Sequence, residues 1–163
     1  MKINIKKIAF VVGMLWVVSG IISFLMRDPV SLSEDQKDLV ASFGYPDTFT
    51  LMMDSEARYE TWAYYTMNKA FSFIDGSFLE EVDIPEIDNE LIIFTEFKPT
   101  QFKNGLLFAD ISKILGEPNK KGDIDPDLLE NAEIYNYSDQ VIVGVQNDQV
   151  IYIQTLPALT SAE

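Results

Sequence analysis

The sequence predicts an α+β fold: an N-terminal transmembrane helix followed by two tandem helix-plus-antiparallel-sheet units. Three observations carry this expectation. Residues 8–25 form an uncharged apolar run, helix-stop and hairpin signals follow it, and the same signals recur 72 positions further on.

The apolar run reads IAFVVGMLWVVSGIISFL. At 1.5 Å per residue, 18 residues of helix span about 27 Å, close to the hydrocarbon thickness of a bilayer. Lys2, Lys6 and Lys7 precede the run, and Arg27 followed at once by Asp28 comes after it. The positive-inside rule then predicts a single-pass protein of the cytoplasmic (inner) membrane, N-terminus in and C-terminal domain outside the cytoplasm. A cleaved secretory signal is the rival, with Val18-Ser19-Gly20 as its cleavage site. Its apolar stretch would be shorter, and Ile21 to Leu25 would be stranded beyond the cut. The predicted organisation is therefore 1–27 cytoplasmic tip and anchor, 28–32 linker, 33–84 first unit, 85–104 connection, 105–155 second unit and 156–163 flexible tail.

Ser33 opens S-E-D-Q, a capping box with Gln36 at N3. The helix it starts carries Leu39, Val40 and Phe43 on one face and stops at Gly44, with Pro46 beyond. Residues 47–59 read as a loop. Strand-like stretches follow at 60–67, 69–74 and 77–84, the last two joined by Asp75-Gly76, a two-residue hairpin signal. At the constant offset Leu39 falls on Ile111, Gly44 on Gly116, Pro46 on Pro118, Phe71 on Val143 and Phe73 on Val145. Asp75-Gly76 falls on Asn147-Asp148, and Phe78 on Val150. What recurs is an order of elements more than residue identity.

Two segments, NGLLFADISKILGEPN at 104–119 and LVASFGYPD at 39–47, carry a resemblance. Each is similar to the helix ending in Leu-Gly-x-Pro or a like stop in the SmpA/OmlA (BamE-like) family, which shares its fold type with β-lactamase inhibitor protein. The resemblance implies a non-enzymatic envelope domain, helices packed on one sheet face, that works by binding other proteins. Family members that assemble the outer membrane are typically lipoproteins, and this chain has no cysteine to lipidate.

Charge and composition exclude several functions. The formal net charge is −14, and beyond residue 27 the chain holds 8 basic against 26 acidic residues. Such a surface repels phosphate backbones, so no nucleic-acid partner is expected. There is no cysteine and no histidine. Disulfides, thiolate chemistry and the commonest general base and zinc ligand are thus all missing. Acid pairs such as Glu80-Glu81 or Glu86 with Asp88 are unavoidable among 26 carboxylates, and no phosphate loop or nucleophile elbow appears. The expected protein is not an enzyme and needs no cofactor.

Two binding features stand out. In Glu60-Thr-Trp62-Ala-Tyr64 the alternation puts Trp62 and Tyr64 on one strand face, with Tyr45, Phe49 and Tyr59 nearby. Trp and Tyr are favoured anchors at protein interfaces, so these five are the candidate partner-binding residues, with burial in the core as the competing role. Asp123, Asp125, Asp127 and Glu130 form an acidic loop with oxygens suited to calcium. An EF-hand starting at Asp123 would need Gly at 128 and Glu at 134, where the chain has Leu128 and Ile134. The expected function is a membrane-tethered extracytoplasmic module, periplasmic or extracellular, that binds another envelope protein. The alternative is a tethered cation- or small-ligand-binding sensor using residues 123–130.

Overall fold

A computed structural model of the chain describes residues 30–54, 56–87, 92–122, 129, 131–138 and 140–159. Helix α1 (Glu34–Phe43) starts where its cap dictates. The Ser33 side chain accepts the Gln36 N–H, and the Gln36 side chain accepts the Ser33 N–H in return. Gly44, at φ 82°, ends it. Four strands follow: β1 (Thr48–Met53), β2 (Arg58–Tyr64), β3 (Lys69–Ile74) and β4 (Ser77–Asp83). A connection carries the short β5 (Ile92–Ile93) and a 3₁₀ turn (Pro99–Gln101). Helix α2 (Phe108–Leu115) then precedes β6 (Lys120–Gly122), β7 (Glu133–Tyr137), β8 (Val141–Gln146), β9 (Gln149–Thr155) and β10 (Ala158–Leu159).

Eight strands form one sheet in the order β4-β3-β2-β1-β9-β8-β7-β6, antiparallel throughout, while β10 pairs with β5 beside it. Two four-stranded meanders therefore meet at β1 and β9, where Leu51 lies opposite Ile153. Thr155 locks the joint, its hydroxyl accepting the Phe49 N–H and donating to the Phe49 carbonyl.

This corrects the predicted fold class. The described residues are mostly antiparallel sheet with two α-helices, not two helix-plus-sheet repeats behind a membrane helix. The reason lies in β1, which sequence reasoning read as loop. Its inward Phe49, Leu51 and Met53 are buried, and its second edge takes β9, so a single sheet runs through both halves. The expected membrane span, residues 8–25, lies outside the described residues. Among the described residues no helix is long and apolar enough to cross a membrane. The longest, α1, has 10 residues and covers about 15 Å, half of a bilayer core. The single-pass, inner-membrane placement drawn from that span is corrected with it.

Both helices contribute to one core. Leu39 and Val40 of α1 and Ile111, Ile114 and Leu115 of α2 pack against a cluster holding Leu51, Trp62, Phe102, Val143 and Ile153. Three tyrosines are buried, Tyr64 and Tyr137 in this core and Tyr152 on the opposite face of the sheet. Burial disfavours their phenolates and holds all three above the ordinary tyrosine value near 10, with Asp47 adding to the effect at Tyr64. A raised pKa in the folded state means stability is complete below pH 10 and falls as pH climbs beyond it. In an alkaline titration, the tyrosinate absorbance of these three should appear only together with loss of near-ultraviolet circular dichroism. Their ionisation in a still-folded chain would contradict this.

Candidate functional site

Among the described residues the sheet ends at β4, which has only β3 beside it. The β3–β4 turn is set by Asp75 and Gly76, both at positive φ (49° and 80°), the geometry of a type I′ hairpin. Gly76 is needed twice over. A side chain there would be strained, and its Cβ would lie 2.8 Å from Ser33 Cβ. That close approach lets the Ser33 hydroxyl donate to the Gly76 carbonyl, so the start of α1 docks on the hairpin tip. Two residues later on both segments, Asp35 Oδ2 accepts the Phe78 N–H at 2.8 Å.

Beyond this clamp the strand is bare. Every residue of β4 is exposed, including Phe78 (50%), Leu79 (56%) and Val82 (42%). Between α1 and the hairpin lies a cavity of about 370 Å³, walled by Leu39, Phe43, Phe71 and Phe78 and rimmed by Asp35 and Asp38. Phe43 is itself half exposed, its ring edge-on to Tyr64 at 6.2 Å. An apolar trough thus runs beside an open strand, with carboxylates on its lips. On the strand, Lys69 reaches Glu81 at 2.8 Å and Asp83 at 2.7 Å, and this shared ion pairing, with Asp83 foremost, pushes the lysine pKa up.

Behind the trough sits a buried polar cluster. Arg58 Nε donates to Glu60 Oε1 at 2.7 Å, and its Nη atoms donate to the Pro99 and Phe102 carbonyls. Glu60 also accepts from Gln36 Nε2 (3.1 Å) and Trp62 Nε1 (2.9 Å). Gln36, Arg58 and Glu60 line a second cavity, about 480 Å³, with Ser33 and Asn104. Their hydrogen bonds go to one another and to the backbone, which ties α1, β2 and the connection together. This is the arrangement of a structural anchor.

Comparison with family models, with characterised proteins and with solved structures finds no match to this chain. Its own geometry therefore has to carry the functional reading.

The five expected anchors are not gathered on one surface. Trp62, Phe49 and Tyr64 are buried at 0%, 2% and 2% exposure, with the Tyr64 hydroxyl donating to the Gly44 carbonyl. Tyr45 is half-buried under Lys98, whose Nζ stands 4.5 Å from the ring centroid. Tyr59 is exposed (42%) and faces away from the core, since its neighbours Arg58 and Glu60 point inward. The acidic-loop residues Asp123, Asp125, Asp127 and Glu130 lie outside the described residues. Among the described residues no cluster of three or more metal-ligating side chains occurs.

Sequence reasoning missed Leu79 and Val82, and the match of Phe78 to the buried Val150 does not extend to its exposure. A signal was present in the run SFLEEVD, where Glu80, Glu81 and Asp83 put charge on both faces of the strand, as edge strands do.

Proposed function

We propose that this chain is a non-catalytic protein-interaction module whose docking surface is the β4 edge and the apolar trough under α1. The observation that carries this reading is the exposure of Phe78 and Leu79 on an edge strand beside a preformed apolar cavity, with Val82 exposed on the other face of the same strand. Contiguous apolar surface rimmed by polar groups is the usual mark of a protein-binding site. The resemblance of residues 39–47 and 104–119 to the SmpA/OmlA family supports the same class of function. The lack of histidine and cysteine, and the mutual satisfaction of the buried Arg58 and Glu60, favour a binding role over a catalytic one.

The test places a photo-cross-linking amino acid at Leu79 or, as control, at the exposed Thr61 on the sheet. Position 79 should give a discrete adduct with another protein, and position 61 should not. Adding Leu79→Thr, with the cross-linker moved to Val82, should remove the adduct. Stability should stay within about 1 kcal/mol, because threonine suits an exposed strand. Equal adducts at positions 79 and 61, or adducts indifferent to the substitution, would overturn the assignment.

A further inference from the structure

We infer that the partner enters as an added β-strand, an extended segment in which basic and apolar side chains alternate, laid along Leu79–Asp83. The inference rests on the docking reading above and specifies the occupant.

The backbone supplies the first argument. The Ile84 N–H donates to the Asn68 carbonyl at 2.9 Å, which fixes which amides of β4 face β3. In an antiparallel pair inward and outward groups alternate, so Val82 pairs inward opposite Ala70 while Glu81 and Asp83 present N–H and C=O outward. Phe78 also points its N–H away from β3, but Asp35 has taken it. The open ladder therefore begins after Phe78, and a strand added there would find two residues ready to pair.

Side-chain charge supplies the second. Glu81 lies opposite Phe71 and Asp83 opposite Lys69, on the same sheet face as Trp62 and α1. That face of the edge holds two carboxylates sharing the ammonium of Lys69, and Asp35 and Asp38 rim the neighbouring trough. Val82 lies on the other face, opposite the small Ala70. Cross-strand neighbours that complement this pattern are Lys or Arg opposite the acids and an apolar residue opposite Val82. A second copy of β4 fits poorly. It would set Glu80, Glu81 and Asp83 against their own counterparts, on a chain of net charge −14. The same acids that repel a like strand select a basic one.

The full chain is tested with synthetic eight-residue peptides. One alternates Val and Lys, one has Glu for Lys, and one repeats the first with N-methylated amides on the edge that meets β4. The Val–Lys peptide should slow hydrogen exchange at the Glu81 and Asp83 amides and bind less tightly as salt rises. N-methylation or the Glu81→Pro variant should weaken binding by about tenfold or more, the loss of at least one backbone hydrogen bond. Proline at 81 removes an outward N–H and no bond to β3. Should it disturb the fold, the methylated peptide asks the same question of the unaltered protein. Equal binding of the Lys and Glu peptides would overturn the basic character of the occupant. Binding without protection at Glu81 and Asp83, or indifferent to methylation, would overturn strand addition. If the Leu79 cross-link persists in that case, the docking surface stands and only its strand-like occupant falls. No binding by any peptide overturns this inference as well.

Discussion

Replacing Arg58 by methionine is expected to destabilise the fold by about 3–5 kcal/mol, the cost of leaving one partner of a buried ion pair without the other. Arg58 is 5% exposed and Glu60 is 4% exposed, so neither charge can turn to water for solvation. The loss reaches further than the pair. Arg58 donates to the Pro99 and Phe102 carbonyls, and Phe102, with no exposed surface, packs at 5.9 Å from the Phe49 ring in the core. Without the guanidinium the Phe102 carbonyl loses its Arg58 donor, the Pro99 carbonyl keeps only the Phe102 N–H, and the segment carrying Phe97 and Phe102 loses its fastening. Urea unfolding should show a lower midpoint, and trypsin should cut faster at Lys98 and Lys103. Arg58→Lys should fall between wild type and Arg58→Met, since a single ammonium keeps the charge but cannot reproduce the fork of donors. An unchanged midpoint for Arg58→Met would show that the cluster contributes little to stability.

That cluster also explains what could and could not be read from the chain. Local signals were legible. The Ser33 cap, the Gly44 stop and the Asp75-Gly76 turn each depend on residues within a few positions of one another, and α1, β3 and the β3–β4 turn follow them. The β1–β9 joint was not legible, because Leu51 and Ile153 meet across about a hundred residues and nothing near Leu51 announces a partner. Residues 156–163 were expected to be a tail. Ala158–Leu159 instead pairs with Ile92–Ile93, another distant contact, while 160–163 lie outside the described residues.

The candidate site failed for a related reason. Alternation correctly put Trp62 and Tyr64 on one face of β2, but Arg58 and Glu60 share that face. Two charged residues on a strand ordinarily mark its solvent side. Here they neutralise each other inside the protein, and the face they share is the buried one. Phe78, Leu79 and Val82 sit exposed on β4, among acids whose edge-guarding pattern is informative only once the strand is known to be paired on one side alone among the described residues.

Trp62 is where the two readings of the aromatic strand separate most sharply. Its side chain has no exposed surface, its ring lies 5.1 Å from Phe73, and its indole N–H is bonded to Glu60. Trp62→Ala should therefore cost about 3–5 kcal/mol from the cavity alone. It also deprives a buried Glu60 oxygen of its donor, adding about 1–3 kcal/mol. Trp62→Phe fills most of the space and loses mainly that hydrogen bond, so it should lie near the smaller figure. A partner anchor would behave in the opposite way, with Trp62→Ala leaving the unfolding midpoint in place and removing the Leu79 cross-link. The sequence has one other tryptophan, Trp16, so a Trp16→Phe background isolates the Trp62 fluorescence. Its emission should shift to the red only at the unfolding transition of the whole domain. Emission already typical of water in the native state would place the indole at the surface and return it to the list of partner contacts. A buried spectrum with a collapsed midpoint in Trp62→Ala would leave partner recognition to β4, and Tyr59→Ala, on the opposite face of β2, should change neither stability nor the cross-link by more than the small amounts typical of exposed positions.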